Sequence, residues 1–124
     1  FANIERWTWP FAPVEPLPNG PDAVEIGWTW LAASAQRTHV NTEAKLLMLG
    51  HAFDVWGVRR VTLKTDERNA RSRANIERIG CRFDGVLRAA QPAWDGGIRD
   101  SAYYSMLASE WPAARDRLLA RLRP

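Results

Sequence analysis

Residues 24–43, Val-Glu-Ile-Gly-Trp-Thr-Trp-Leu-Ala-Ala-Ser-Ala-Gln-Arg-Thr-His-Val-Asn-Thr-Glu, constrain the fold more than any other stretch of the chain. Val24, Ile26, Trp28 and Trp30 recur at every second position, the period of a strand. A short polar turn follows and opens directly into apolar residues at helical spacing. A strand that feeds a helix in this way aims several free backbone N–H groups, with the helix dipole behind them, at one spot. Such a junction binds anions, phosphates above all. The chain has neither a Walker lysine nor a dinucleotide glycine fingerprint here. It therefore suits a cofactor whose pyrophosphate is held mainly by main chain, with coenzyme A the leading candidate.

At 124 residues and 46% hydrophobic content, residues 1–124 form one domain with enough apolar material for a core. No uncharged apolar run approaches the length of a membrane span. Phe1 is not expected to be a native start, and no basic region followed by an apolar run leads one to expect a signal peptide. Cys81 is the one cysteine, so an internal disulfide is excluded and a reducing, cytoplasmic location is the default expectation. The net charge of +3 comes from dispersed arginines rather than a basic tail. Arg115, Arg117, Arg121 and Arg123 share their segment with Leu118, Leu119 and Leu122, the pattern of an amphipathic helix with a solvated basic face.

The spacing predicts eight elements. Phe1–Trp9 reads as a strand, residues 10–22 with their five prolines as an irregular loop, and the strand from Val24 as its hairpin partner. Asn41–Trp56 has apolar residues at 44, 47, 48, 52 and 55 and again at 46, 49, 53 and 56, a helix buried over much of its circumference and stopped by Gly57. Val58–Lys64 is a third strand. Asn69 caps a helix over Ala70–Ile79 that Gly80 ends. Phe83–Arg88 and Ser101–Leu107 read as antiparallel strands around the Asp95-Gly96-Gly97 turn. Trp111–Leu122 is a last helix, with Ser109 its expected cap and Pro112 tolerated in its first turn.

This order, with four motifs, resembles the Gcn5-related N-acetyltransferase (GNAT) superfamily, and within it the RimJ/RimL-type, ribosomal-protein-alanine acetyltransferase branch. The motifs are Glu25-Ile26-Gly27-Trp28, the turn Gln36-Arg37-Thr38-His39-Val40-Asn41-Thr42-Glu43-Ala44, Asn69-Ala70-Arg71-Ser72, and Ile79-Gly80-Cys81-Arg82-Phe83 followed by Gly85-Val86-Leu87-Arg88. The resemblance runs from about Phe1 to Leu107. It implies an α+β sandwich, a mixed and largely antiparallel sheet flanked by helices. Two departures stand out. His39 and Asn41 occupy turn positions where the family usually carries glycine, and His39 offers a ring nitrogen to a phosphate instead. Family members also normally begin with a strand and two helices that shape the acceptor pocket, whereas this chain starts in what resembles the third strand. Either the sequence is a fragment of a longer protein, or the segment is absent and a partner covers the open sheet edge; a truncated product, with a homodimer, is the favoured expectation.

Acetyl transfer to an amine requires a fixed thioester beside a neutral amine, a stabilised oxyanion and a protonated leaving thiolate. By resemblance, the strand carrying Trp28, Thr29, Trp30 and Leu31 splays from its neighbour and offers backbone groups to the pantetheine amides. Backbone amides of the turn, from Gln36 and Arg37 through Thr38, His39, Val40 and Asn41 to Thr42, hold the pyrophosphate, and the Arg37 side chain adds charge. Asn69 contacts the pantetheine arm, although a helix cap alone also explains it. Ser72 is either the thiolate's proton donor or an ordinary first-turn serine. Glu25 is the candidate general base acting through water, or a solvated strand carboxylate. Tyr103 and Tyr104 share a strand expected to end near the sulfur. One of them packs in the core, and Tyr104 is taken as the catalytic hydroxyl. His51 reads as a core or edge histidine, Cys81 as a small buried hydrophobe, and no residues have metal-ligand spacing. Trp7, Trp9, Phe11 and Trp28 line either an acceptor slot or, the favoured expectation, a subunit interface.

Three functions compete. The first is acetyl-CoA-dependent transfer to a peptide N-terminal or small-molecule amine by direct attack, because no activated Cys or Ser–His pair is visible. The second is a degenerate GNAT-like association module. The third, a basic nucleic-acid binder, is disfavoured because the aromatics follow core spacing rather than interleaving with a basic stripe. No membrane role is expected.

Overall fold

The computed structural model describes residues 1–14, 20–27, 39–93 and 95–122, with backbone alone at 39–41. Ten elements follow one another, eight of which form the architecture: β1 (Ala2–Glu5), β2 (Ala23–Glu25), α1 (His39–Gly50), β3 (Arg60–Asp66), α2 (Ala70–Ile79), β4 (Arg82–Pro92), β5 (Ile98–Leu107) and α3 (Trp111–Leu122). The other two are a π-helical turn at His51–Trp56 and a 3-10 turn at Ala108–Glu110. The strands form one sheet in the order β1-β2-β3-β5-β4. Only β2 and β3 run parallel, and every other neighbouring pair is antiparallel. The α+β architecture read from the sequence is thus the one observed.

Alternation decides which side of the sheet is closed. Along β3, Val61, Leu63 and Thr65 are buried while Arg60, Thr62, Lys64 and Asp66 are partly open. Val61 and Leu63 join Val24, Ile26, Ala102, Tyr104 and Met106 in a cluster with Leu49, Phe53, Ile76, Ile79, Trp111 and Leu118 from the three helices. All three helices therefore cover the same face of the sheet. α3 lies at the carboxyl ends of its two neighbours. Trp111 Nε1 donates to Asp54 at 3.0 Å, and Arg121 Nη2 donates to the carbonyl of Arg78 at 2.6 Å. Gly80 permits this approach. It ends α2 at φ 113°, and a Cβ there would lie 2.6 Å from the Arg117 guanidinium.

Several expectations needed correction. The first strand stops at Glu5 rather than Trp9, because the Asp22 carboxylate captures the Trp7 N–H at 2.8 Å and takes it out of the ladder. The first helix begins at His39 and gives way to a π-helical turn after Gly50. Its apolar belt is also narrower in burial than in sequence, since Leu47 and Val55 face solvent. β4 and β5 reach Pro92 and Ile98, past the expected ends, because irregularities near Gly85 and Ala89 disrupt the alternation that marks a strand. Ala89 holds φ 50°, and its N–H donates to Asp100 Oδ1 at 2.7 Å. Ser109 does not cap the last helix. It sits inside the 3-10 turn, and Glu110 Oε1 accepts the Leu107 N–H at 2.9 Å instead.

Candidate active site

The parallel pair fixes where a ligand can enter. β2 and β3 point the same way, and α1 and α2 begin beyond their respective carboxyl ends. In open sheets of this kind ligands bind outside the carboxyl ends of parallel strands, where helix N-termini converge. The ladder between the two strands is short. It pairs Ala23 with Arg60, Val24 with Val61 and Glu25 with Thr62, and closes with Ile26 N–H donating to the Thr62 carbonyl at 3.0 Å. β3 continues to Asp66, held on its other side by β5. From Leu63 onward, its edge toward β2 has no strand partner among the described residues. An open strand edge offers N–H and C=O groups to any extended ligand that carries amides.

α2 starts at this edge. Asn69 Oδ1 accepts the Ser72 N–H at 3.0 Å, so Asn69 does cap the helix. Ser72 is buried one turn inside, and its Oγ has no hydrogen-bond partner. Backbone N–H groups at the start of α1, from His39 to Thr42, are helical. Trp28, Thr29, Trp30, Leu31, Gln36, Arg37 and Thr38 lie outside the described residues, as do the side chains of His39, Val40 and Asn41.

Glu25 sits on the face of the sheet opposite the helices, one residue before the ladder ends. Asn3 Nδ2 donates to its Oε2 at 2.7 Å, and Lys64 Nζ lies 3.6 Å from Oε1. Both contacts hold the carboxylate in a groove of about 600 Å³ shared with Glu5, Arg60, Thr62, Asp84 and Tyr103. Tyr103 pairs with Lys64 and lies in this groove, its ring centroid 5.9 Å from Lys64 Nζ. Tyr104, expected as the catalytic hydroxyl, points into the helix layer and is wholly buried. Its hydroxyl donates to Glu77 Oε1 and accepts from Arg73 Nε, each at 3.0 Å. Glu25 and Tyr104 therefore stand on opposite sides of the sheet. Sequence reasoning named both tyrosines and took Tyr104, although the parity of the strand already separates their faces. Ser101, Tyr103 and Ser105 form the polar parity of β5, against Ala102, Tyr104 and Met106.

Two groups with shifted titration lie on the helix-covered side. Burial pushes the Cys81 thiol up to about 12, so it is a thiol rather than a thiolate nucleophile at neutral pH. Lys45, buried on α1, is lowered to about 8 by desolvation, against which Cys81 acts weakly. His51 lies at the other end of α1, packed edge-on against Trp56 with ring centroids 4.6 Å apart. Among the described residues no cluster could hold a metal ion, and no helix is long and apolar enough to cross a membrane.

Among the described residues the fold is a mixed sheet with one parallel pair, each strand of which is followed by a helix. Residues 10–82 match the acetyltransferase (GNAT) domain family, and the chain belongs to that family. Solved structures agree. It is similar to a T. thermophilus protein assigned as an acetyltransferase, with 43% identity over 80% of this chain and 52% of that one, TM-score 0.74. A GCN5-related N-acetyltransferase from Brucella melitensis shares 37% identity over 84% of this chain and 47% of its own, TM-score 0.77. Mycobacterium smegmatis RimJ, solved with CoA-disulfide, shares 30% identity over 81% and 47%, TM-score 0.70. The chain thus spans about half the length of these structures. None of the curated proteins compared with the chain matches it.

Proposed function

We propose that this domain transfers the acetyl group of acetyl-CoA to a primary amine, either a peptide N-terminus or a small molecule, by direct attack without an acyl-enzyme. The observation that carries this reading is the buried Ser72 Oγ without a hydrogen-bond partner at the start of α2, beside a β3 edge that no strand among the described residues covers. These groups fit an amide-bearing arm ending in a thioester, and RimJ, which has the same fold, was solved with CoA-disulfide. When bound, acetyl-CoA supplies the activated acyl group.

The chain's own groups then have distinct tasks. N–H groups at the start of α1 face the pyrophosphate, with Gln36, Arg37, Thr38 and the main chain of His39 to Thr42 as its proposed cradle. Main-chain groups of Trp28 to Leu31 and of the β3 edge hold the amide arm, with Asn69 beside it. An N–H on that edge meets the negative charge that develops on the acyl oxygen. Glu25, fixed by Asn3 and Lys64, takes the proton of the incoming ammonium through one water, which frees the nitrogen lone pair. Ser72 Oγ–H donates a proton to the departing sulfur and takes back the proton that the amine nitrogen gives up as the amide forms. Cys81 stays protonated and takes no part.

The acceptor lies on the Glu25 side, where the mixed-charge groove suits a cationic amine. A homodimer through the exposed Phe1, Trp7, Trp9 and Phe11 belongs to the same reading, and sizing chromatography checks it. Calorimetry with acetyl-CoA, followed by thiol release with a panel of amines, tests the whole. Saturable binding with amine-dependent release is expected. No binding at millimolar acetyl-CoA rejects the transferase and leaves an association module.

A further inference from the structure

Among the described residues, two buried side-chain polar atoms lack a hydrogen-bond partner, Ser72 Oγ and Asn75 Nδ2. Both belong to α2, and residues three apart on a helix lie on one face, one above the other. Each residue is 3% exposed, so solvent does not satisfy them. Native proteins rarely leave such donors unpaired, and each exception calls for a physical reason. Ser72 already has a place in the proposed chemistry. Asn75 does not.

The orientation of the Asn75 amide is fixed by its neighbour. Arg78 Nη1 donates to Asn75 Oδ1 at 2.8 Å. A guanidinium can only donate, so a flipped amide would set donor against donor. Oδ1 is thus taken by Arg78, and Nδ2 is the buried amide atom left without a partner. An alanine or leucine at this position would pack into the core without an unmet N–H. The asparagine calls for something that the described residues do not supply: an acceptor.

We infer that Asn75 is a cofactor-binding residue, whose Nδ2 donates to a carbonyl oxygen of the pantetheine arm one helical turn along from Ser72. The inference rests on the coenzyme A reading above and deepens it. Pantetheine carries two amides joined through a two-methylene spacer, so its carbonyls can meet groups a turn apart on one helix face. The phosphates fall to the start of α1, and the arm between them and the thioester needs donors along its path. A bridging water between Ser72 and Asn75 is the competing occupant.

Two variants separate these outcomes. Asn75→Leu keeps the shape and removes the donor. Asn75→Asp keeps an acceptor for Arg78 and also removes the donor, so it serves if the leucine variant folds poorly. Calorimetric titration of each with coenzyme A alone, beside the melting temperature of the free protein, gives two independent readouts. The account expects both variants to bind coenzyme A about tenfold more weakly, the loss of one hydrogen bond. The free Asn75→Leu protein should melt no lower than the unaltered one. Binding within twofold of the unaltered protein in both variants overturns the inference, as a bridging water predicts. Failure of the unaltered protein to bind coenzyme A overturns the cofactor reading itself, and this inference with it.

Discussion

On the helix-covered face the sheet presents Val24, Val61, Leu63, Tyr104 and Met106, all buried, whereas the opposite face presents Glu25, Arg60, Thr62, Lys64 and Tyr103. The two sets interleave residue by residue along the same strands. Tyr103 and Tyr104 are chemically identical neighbours, yet one lines a groove and the other is locked between Arg73 and Glu77. On the covered side residue choice answers to packing, where a missing methylene leaves a cavity. On the open side it answers to charge, and pairs such as Arg60 with Glu5 are exposed enough to contribute little stability. Glu25 stands apart from the other charged groups on that face, because it is buried.

The largest test of this contrast is Glu25→Gln. Removing a general base lowers turnover by about 10²–10⁴-fold, while thermal unfolding should move by only a few degrees. Amine-dependent thiol release reads the first quantity, and unchanged turnover would remove the open face from the chemistry. Next comes Leu63→Ala, which should cost about 2–5 kcal/mol in urea unfolding, against less than about 1 kcal/mol for its neighbour Thr62→Ala. Equal losses would mean that the two faces are not energetically distinct.

pH sharpens the contrast further, because the covered side holds two shifted groups. Lys45 drops from 10.5 to about 8, so between those values the unfolded chain binds the extra proton and stability rises with pH. Cys81 goes from 9.0 to about 12, so the folded protein keeps its proton there and stability falls with pH. The sum is a climb from about pH 8 to 9, a plateau to about 10.5 and a decline above it, with slopes of at most about 1.4 kcal/mol per pH unit. Urea midpoints across this range check the shape, and Cys81→Ala should abolish the decline. Smaller is Tyr104→Phe, at about 1 kcal/mol of stability for its hydroxyl contacts. Tyr103→Phe should leave unfolding within about 0.5 kcal/mol of the unaltered protein.

Local rules carried much of the fold. The Asn69 cap, the Gly57 and Gly80 stops and the glycine turn between β4 and β5 lie where residue chemistry predicts them. What escaped depended on partners distant in sequence. The end of β1 is set by Asp22, fifteen residues beyond Trp7. The last helix is preceded by a Glu110 carboxylate rather than by the better-known cap Ser109. Near the proposed site, Asn69 caps α2 as its chemistry predicts, while Glu25 lies within the β2–β3 ladder on the face away from the helices. The choice between the tyrosines required knowing which face the helices cover. Asn75 was not legible, because a sequence does not show which amide atom finds a partner. The turn expected to hold the pyrophosphate lies outside the described residues except for its helical end.

The central claim is that a nucleotide-linked acyl donor docks at the mouth between β2 and β3, under the first turns of α1 and α2. A titration of the labelled protein with coenzyme A, followed through backbone amide resonances, examines that directly. The account predicts saturable shifts concentrated at Ile26–Gly27, His39–Glu43, Leu63–Thr65 and Asn69–Ser72, with Arg88–Pro92 silent. Absence of saturable shifts at millimolar ligand, or shifts centred on the distant end of α1 around His51, would contradict it.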